Sequence, residues 1–118
     1  LPVISLTSDT AIITAVSNDY DYKKVFERQV EALALPGDIV FGISTSGNSE
    51  NVLLAFDKAK EKKCLTMGLL GKDGGFIKSK ADYSIIINSF NTPRIQEAHG
   101  FIIHCLCELI EEEVLNGK

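Results

Sequence analysis

Residues 41–52, FGISTSGNSENV, hold an apolar strand-like run, a loop rich in hydroxyl groups and the start of a helix. A strand followed directly by a helix is typical of an α/β fold, and the loop between them lies where open α/β sheets bind ligands. Residues 44–49 contain three serines and a threonine, more hydroxyl groups than one helix cap needs. Hydroxyl groups beside the free N–H groups of a helix N-terminus can bind phosphate oxygens, so this loop is predicted to bind an anion.

The same loop has a simpler interpretation as an ordinary helix cap, because Ser and Asn are both favoured at that position. It is not a Walker A loop, since it lacks both the glycine spacing and the lysine of that motif. The anion site is the favoured interpretation because a single cap uses only one hydroxyl group.

Four continuous apolar runs along the chain predict a parallel β-sheet. They are residues 1–6, 38–44, 64–70 and 83–88. Runs that are apolar throughout, rather than alternating, are typical of parallel strands covered on both faces. Stretches with helical periodicity lie between them. The sequence therefore predicts an α/β fold, a parallel sheet with helices on both faces.

The predicted helices have recognisable ends. Asp21 can cap a helix that runs to Pro36-Gly37, and a second helix covers residues 49–63. After the glycine-rich loop 71–75 comes a short turn or helix, and Pro93 opens a helix that continues to about residue 115.

The last helix is apolar around most of its circumference in the middle, which predicts burial on more than one side. Four strands and about three helices cannot easily cover both faces of a sheet, and the chain opens on an apolar run. We therefore expect either an incomplete N-terminal part of the domain or a partner subunit that covers the remaining surface.

Composition narrows the class of protein further. The 118 residues are about one domain, and a net charge of -4 without a basic run argues against nucleic acid as a ligand. No apolar run reaches the ~18–20 residues that cross a membrane. Three cysteines do not suggest a disulfide framework, so we expect a soluble cytoplasmic protein with reduced thiols.

We call residues 44–49 the serine loop. Few residues outside it suggest chemistry on their own. Asn18-Asp19 is a common turn pair, and a lone His104 among apolar residues is by default a core residue. Gln96 and His104 lie ~80° apart around the last helix and ~12 Å apart along it, so they share a face. His99 is expected to be structural, and Cys105 and Cys107 point ~200° apart, so they cannot jointly hold one metal ion.

Several motifs in order, ISTSGNS, GKDGG and RIQEAH with a further His, resemble the SIS (sugar isomerase) domain and, within it, the phosphoheptose isomerases. The resemblance covers essentially all of residues 1–118 and implies the C-terminal portion of a flavodoxin-like three-layer sandwich. It implies isomerisation of sedoheptulose 7-phosphate to D-glycero-D-manno-heptose 7-phosphate. That reaction is the first step towards ADP-heptose for the lipopolysaccharide core.

The resemblance also assigns roles to particular residues. It implies that Asn18 and Asp19 contact the sugar chain, that Gln96 contacts substrate and metal, and that His104 is catalytic or binds the metal, which is zinc. It implies phosphate binding by four loop residues: Ser44, Thr45, Ser46 and Ser49.

The family's other proton-transfer residue is a Glu in a helix that follows a GNGGS loop, with a zinc-binding His nearby. Neither motif occurs here, so the resemblance places both before Leu1 and makes the chain N-terminally incomplete. We therefore expect these 118 residues alone to be inactive. The resemblance further implies a homotetramer with active sites at subunit interfaces.

Two alternatives remain at this stage. The chain could be a non-catalytic SIS module that senses a phosphosugar or binds the bacterial replication initiator, or an SIS isomerase for another phosphosugar. His104 and Ser46 favour the phosphoheptose isomerase, because the non-catalytic relatives need no catalytic His.

Overall fold

The computed structural model describes residues 1–117 and has a three-stranded parallel sheet as its centre. The strands are β1 (Ile39–Ser44), β2 (Leu65–Gly71) and β3 (Tyr83–Ile87), in the spatial order β1-β2-β3. The helices are α1 (Thr10–Asp19), α2 (Val25–Leu33), α3 (Glu50–Glu61), α4 (Gly75–Lys80) and α5 (Thr92–Leu115), with a 3-10 turn at Tyr22–Lys24. The predicted α/β fold with a parallel sheet is confirmed.

The middle strand, β2, is the most deeply buried. Leu69 and Leu70 are both fully buried, as expected of a parallel strand with neighbours on each side. Ser44 at the end of β1 pairs in register with Leu70, so the carboxyl ends of the two strands lie side by side. This edge of the sheet carries the serine loop.

One face of the sheet is covered by α3 and α4. Leu70 packs in a core cluster with Val52 and Phe56 of α3 and Ile77 of α4. Gly42 allows this approach, because a Cβ atom there would lie 2.7 Å from Val52 and 2.8 Å from Phe56. A second cluster joins α2 to α3 through Val30, Ala34, Ala55, Ala59 and Cys64.

The opposite face is covered only in part, by α5. Successive residues of a strand point to opposite faces, and Gly71, next to Leu70, lies against Ile95 of α5. Four apolar side chains remain exposed on strands β1 and β2, namely Ile39, Phe41, Ile43 and Leu65. Helices therefore lie on both faces, as predicted, and one face keeps a large uncovered apolar area.

The prediction of a strand at residues 1–6 is wrong. This segment is irregular, and within residues 1–117 it pairs with no strand. A β-branched apolar run indicates only a propensity to form a strand. A strand also needs a neighbouring strand for its backbone hydrogen bonds. Its one anchored point is Leu6, which packs on the α2–α3 cluster and accepts a hydrogen bond from Gln29 Nε2 at 3.0 Å.

Helix α1 was not predicted, and it changes the setting of Asn18-Asp19. Asp9 caps the helix by accepting a hydrogen bond from the Ile12 N–H at 3.1 Å. Because β-branched residues dominate its sequence, periodicity gave no helix signal. Asn18 and Asp19, expected in a turn, form the last residues of α1.

Asp21 is a cap, as predicted, but of the short 3-10 turn that precedes α2. Its carboxylate accepts a hydrogen bond from the Lys23 N–H at 2.9 Å. Helix α2 begins after that turn and ends at Leu33, before Pro36-Gly37. Leu33, the last residue of α2, is half exposed.

Helix α5 has the predicted bounds within one residue, but its burial differs from the prediction. Only Ile95 and His99 of α5 are buried. Phe101, Leu109 and Leu115 are 70%, 61% and 77% exposed. The apolar circumference of α5 is thus left uncovered by residues 1–117. None of the helices in this part of the chain combines the length and apolar character needed to span a bilayer.

Candidate functional site

The loop after β1 gathers two hydroxyl groups, those of Ser46 and Ser49, around the buried hydroxyl of Ser44. Ser44 Oγ lies 2.8 Å from Ser49 Oγ and 3.4 Å from Ser46 Oγ. It also accepts a hydrogen bond from the Gly47 N–H at 3.1 Å. Ser44 is only 4% exposed, whereas Thr45, Ser46 and Ser49 are half-buried. The structure therefore brings together the predicted phosphate-binding residues, with Ser44 at the centre and the others nearer the surface.

The loop leads directly into the N-terminus of α3. Ser49 precedes the helix, but its hydroxyl bonds to Ser44 and makes no side-chain cap. The first N–H groups of a helix have no intrahelical acceptor, and the helix dipole places partial positive charge beside them. The hydroxyl groups of the serine loop and the first N–H groups of α3 together form a polar cradle. Such a cradle can bind a phosphate group without the help of a lysine.

Asn48 fixes this loop to the loop that follows β2. Its Oδ1 accepts a hydrogen bond from the Phe76 N–H at 2.9 Å, and its Nδ2 donates to the Ser46 carbonyl at 3.2 Å. The Ile77 N–H donates to the Gly47 carbonyl at 2.9 Å beside them. No local pattern in the sequence indicates this role for Asn48, because its partner Phe76 is 28 residues away. The cradle is thus braced by the start of α4.

Glycines make the contact between the two loops possible. Gly47 has φ +68°, and a Cβ atom there would overlap the Gly74 carbonyl. Gly75 has φ +52°, and a Cβ atom there would overlap the Gly47 carbonyl. The GKDGG loop, predicted from the sequence as a glycine-rich loop and one of the family motifs, contacts the serine loop and supports it.

Asn18 and Asp19 lie at the exposed end of α1. Asn18 Nδ2 donates to Asp19 Oδ1 at 3.0 Å. Within residues 1–117 no hydrogen bond joins either side chain to the serine loop. The adjacent 3-10 turn does approach that loop, since residues 21–23 and 49–51 line one open depression of about 490 Å³.

Gln96 and His104 are both exposed on α5. The turn that carries Gln96 is close to the serine loop, because Gly71 contacts both Ile95 and the Thr45 carbonyl. His104 lies more than two turns further along the helix, away from that contact. The structure therefore places Gln96 near the edge that carries the cradle, and it leaves His104 on an open helical surface.

The other polar and thiol side chains near Gln96 and His104 on α5 have ordinary structural surroundings. His99 is buried, and its Nε2 lies 2.9 Å from the Leu70 carbonyl. Arg94 forms an exposed ion pair with Glu97 at 2.9 Å. Cys105 and Cys107 are free thiols, and burial raises the pKa of the third thiol, Cys64, in the α2–α3 core.

Residues 1–117 do not contain a complete set of ligands for zinc. No group of three His, Cys, Asp or Glu side chains in residues 1–117 is close enough to hold a metal ion. Gln96 and His104 could supply two ligands at most, and zinc sites in proteins use three or four. No step of the chemistry proposed below passes through a metal.

Comparison with known proteins identifies the class to which this fold and loop belong. The SIS domain family matches residues 1–71, which is more than half of the chain. The chain therefore belongs to the SIS domain family, as its motifs predicted. This family match covers the serine loop and ends at Gly71, before the start of α4 that braces the loop.

Two similar relatives are phosphoheptose isomerases. The phosphoheptose isomerase of Trichlorobacter lovleyi is 59% identical over 112 residues, covering 95% of this chain and 57% of that protein. The phosphoheptose isomerase of Clostridium acetobutylicum is 53% identical over 118 residues, covering all of this chain and 60% of that protein. The chain thus spans about three-fifths of the length of the relatives it matches.

Solved structures give the same result. The phosphoheptose isomerase of Neisseria gonorrhoeae superimposes with a TM-score of 0.91 at 42% identity, over 92% of this chain and 61% of that one. The phosphoheptose isomerase of Francisella tularensis gives 0.92 at 41% identity, over 95% and 62%. The three-stranded arrangement described above is therefore the arrangement of these isomerases over the shared part.

Proposed function

We propose that the complete protein is a phosphoheptose isomerase that converts sedoheptulose 7-phosphate to D-glycero-D-manno-heptose 7-phosphate. The observation that carries this proposal is the convergence of the Ser44, Ser46 and Ser49 hydroxyl groups at the N-terminus of α3. Such a cradle suits the phosphate of a sugar phosphate. The identity of the chain to phosphoheptose isomerases over almost its whole length supports the choice of sugar.

The reaction moves hydrogen between two carbons through an enediol. A proton leaves C1 of the ketose and one is added to the C2 oxygen, and then the C1 oxygen loses a proton while C2 gains one. The protein must supply groups for these transfers and must stabilise the enediolate. Phosphate binding by Ser44, Thr45, Ser46 and Ser49 would hold the remote end of the substrate and so fix C1 and C2 in place.

His104 is the proposed proton-transfer residue of this chain, because an imidazole has one nitrogen that can donate a proton and one that can accept it. Gln96, Asn18 and Asp19 would hydrogen-bond the sugar chain, and all three side chains are exposed. The resemblance assigns the second proton transfer to a Glu outside these 118 residues. We accordingly propose that the 118 residues alone are inactive.

We propose further that zinc, where the enzyme uses it, takes Gln96 and His104 as two ligands and completes its coordination with groups from beyond this chain. The proposal rests on the family resemblance and on the exposure of both side chains. It predicts that the 118-residue chain alone binds zinc weakly.

We also propose an oligomeric state and a cellular compartment for the complete protein. A homotetramer with active sites at subunit interfaces would cover the exposed apolar surface of α5 and bring other groups to His104. Free thiols at Cys64, Cys105 and Cys107 suit the reducing cytoplasm, where ADP-heptose for lipopolysaccharide would be made.

The decisive experiment compares the full-length protein with its His104→Ala variant. We expect the wild type to interconvert the two heptose 7-phosphates, and His104→Ala to lower kcat by about 10²- to 10⁴-fold, the usual contribution of a general acid or base. Inhibition by inorganic phosphate should be retained, since the cradle lies on β1 and α3. Cys107→Ser, an exposed neighbour on α5, is the matched control and should keep its kcat.

Two outcomes would contradict the proposal. An unaffected rate in His104→Ala would remove His104 from the mechanism. A wild-type protein that binds phosphosugar without turnover would instead be the non-catalytic SIS module.

A further inference from the structure

His99 is the polar side chain by which α5 attaches to the sheet. Within the helix only Ile95 and His99 are buried, and His99 is 4% exposed. Its Nε2 lies 2.9 Å from the Leu70 carbonyl. A carbonyl oxygen only accepts, so Nε2 must carry the hydrogen of this bond.

The acceptor of this bond belongs to the edge that carries the cradle. Leu70 is fully buried and is the register partner of Ser44. Its carbonyl is out of reach of water, so His99 supplies a hydrogen-bond donor at a point where solvent cannot. A Cβ atom on the next residue, Gly71, would overlap the Thr45 carbonyl and lie 2.7 Å from Ile95, so α5 and the serine loop meet at this glycine.

Ile95 and His99 are four residues apart and therefore form one face of α5, seated on the carboxyl end of β2. Around the helix, Gln96 lies ~60° and His104 ~140° from His99. These angles agree with the exposure of both side chains. An apolar contact at Ile95 alone would let the helix rotate, whereas a hydrogen bond has a preferred direction and resists rotation.

We propose that His99 is a positioning residue, whose hydrogen bond to Leu70 sets the rotation of α5 and thereby the placement of Gln96 and His104 relative to the serine cradle. This inference rests on the proposed isomerase function. His99 itself touches neither substrate nor reacting atoms.

The test uses full-length protein with two substitutions at this position. His99→Gln keeps an N–H donor at similar reach, and His99→Leu removes it. We expect His99→Leu to lower kcat at least ~10-fold, because small displacements of positioned groups cost about that much or more, and His99→Gln to stay within ~3-fold of the wild type. Inhibition by inorganic phosphate should change little in either variant, since the cradle lies on other elements.

A control variant separates positioning from general loss of stability. Val30→Ala opens the α2–α3 cluster, which contains no residue of α5. It should lower the melting temperature as His99→Leu does, and yet keep the wild-type kcat. A normal kcat in His99→Leu, or an equal loss in His99→Gln, would overturn the proposal.

The hydrogen bond can also be tested without turnover. Nitrogen-15 NMR of the wild type should show His99 with hydrogen on Nε2 at neutral pH, and a tautomer with hydrogen only on Nδ1 would overturn the proposal even if His99→Leu failed to fold. A wild-type protein without isomerase activity would instead contradict the proposed function, while the NMR result would still decide whether the contact exists.

Discussion

At the scale of single residues, Ser44 holds the serine loop in shape. Its hydroxyl contacts those of Ser46 and Ser49 and accepts the Gly47 N–H, all from a position that is 4% exposed. Removing this oxygen deletes its hydrogen bonds to the Gly47 N–H and to the Ser46 and Ser49 hydroxyl groups, each worth about 0.5–1.5 kcal/mol, while the Gly47 N–H keeps the Ser44 carbonyl at 3.3 Å as an acceptor. The two outer hydroxyl groups also lose the atom that orients them.

Ser44→Ala is therefore expected to weaken binding of a phosphate ester to the full-length protein by about tenfold or more and to lower the free energy of unfolding by about 1–3 kcal/mol. Titration calorimetry and urea denaturation measure the two effects. Ser84→Ala, at an exposed serine of β3, should change neither. Unaltered affinity in Ser44→Ala would mean that the loop does not bind the phosphate.

The sequence was sufficient to locate this loop, because four hydroxyl groups after an apolar run are a local pattern. It was not sufficient for Asn48, whose partner Phe76 is brought close only by the sheet. The proposed roles of Gln96 and His104 likewise have no local sequence pattern, since both residues lie on a helix far along the chain from the cradle. Only the family resemblance pointed to them.

At the scale of elements, the continuous apolar runs predicted β1, β2 and β3, since runs that are apolar throughout are typical of parallel strands. Within residues 1–117 only β2 has a strand on each side, and β1 leaves one apolar face exposed. The same reasoning failed at residues 1–6, where an equally apolar run has no paired neighbour in the described chain. Helix α1 was missed for the opposite reason, since Ile and Thr favour strands and yet its Asp9 cap and tertiary contacts hold a helix.

Asp82 ties the start of β3 to the start of β2. Its Oδ2 accepts hydrogen bonds from both the N–H and the hydroxyl of Thr66 at 2.8 Å. These bonds, with a smaller contribution from Lys60, hold the pKa of the Asp82 carboxyl below its usual value. Because the folded pKa is the lower one, the stabilisation is complete above the unfolded pKa of about 4 and is lost as pH falls below it.

We therefore expect the stability of the wild type to decrease as pH falls below about 4, and Asp82→Asn to be less stable at neutral pH with a shallower decrease over that acid range. Urea denaturation at a series of pH values measures both. Glu111→Gln, at an exposed position of α5, should keep the wild-type slope. An unchanged slope in Asp82→Asn would show that these hydrogen bonds do not contribute to stability.

At the scale of the whole molecule, residues 1–117 leave two apolar surfaces uncovered, one on the sheet at β1 and one along α5. The second runs from Phe101 to Leu115 and includes Leu109 and Ile110. Burying one such side chain is worth about 1.5–3 kcal/mol, so several together can hold subunits in contact. His104 lies within the same stretch, so association along α5 would also enclose the proposed catalytic group.

Leu109→Glu in the full-length protein tests this association. A carboxylate buried at a subunit contact loses its hydration without gaining a partner, so the variant should elute as a smaller species than the wild type in size-exclusion chromatography with light scattering. Turnover should fall with it, since His104 loses the groups brought by another subunit. Leu33→Glu is the matched control, a half-exposed leucine on α2 that should leave the mass unchanged. A Leu109→Glu protein with the wild-type mass would exclude α5 as the subunit contact.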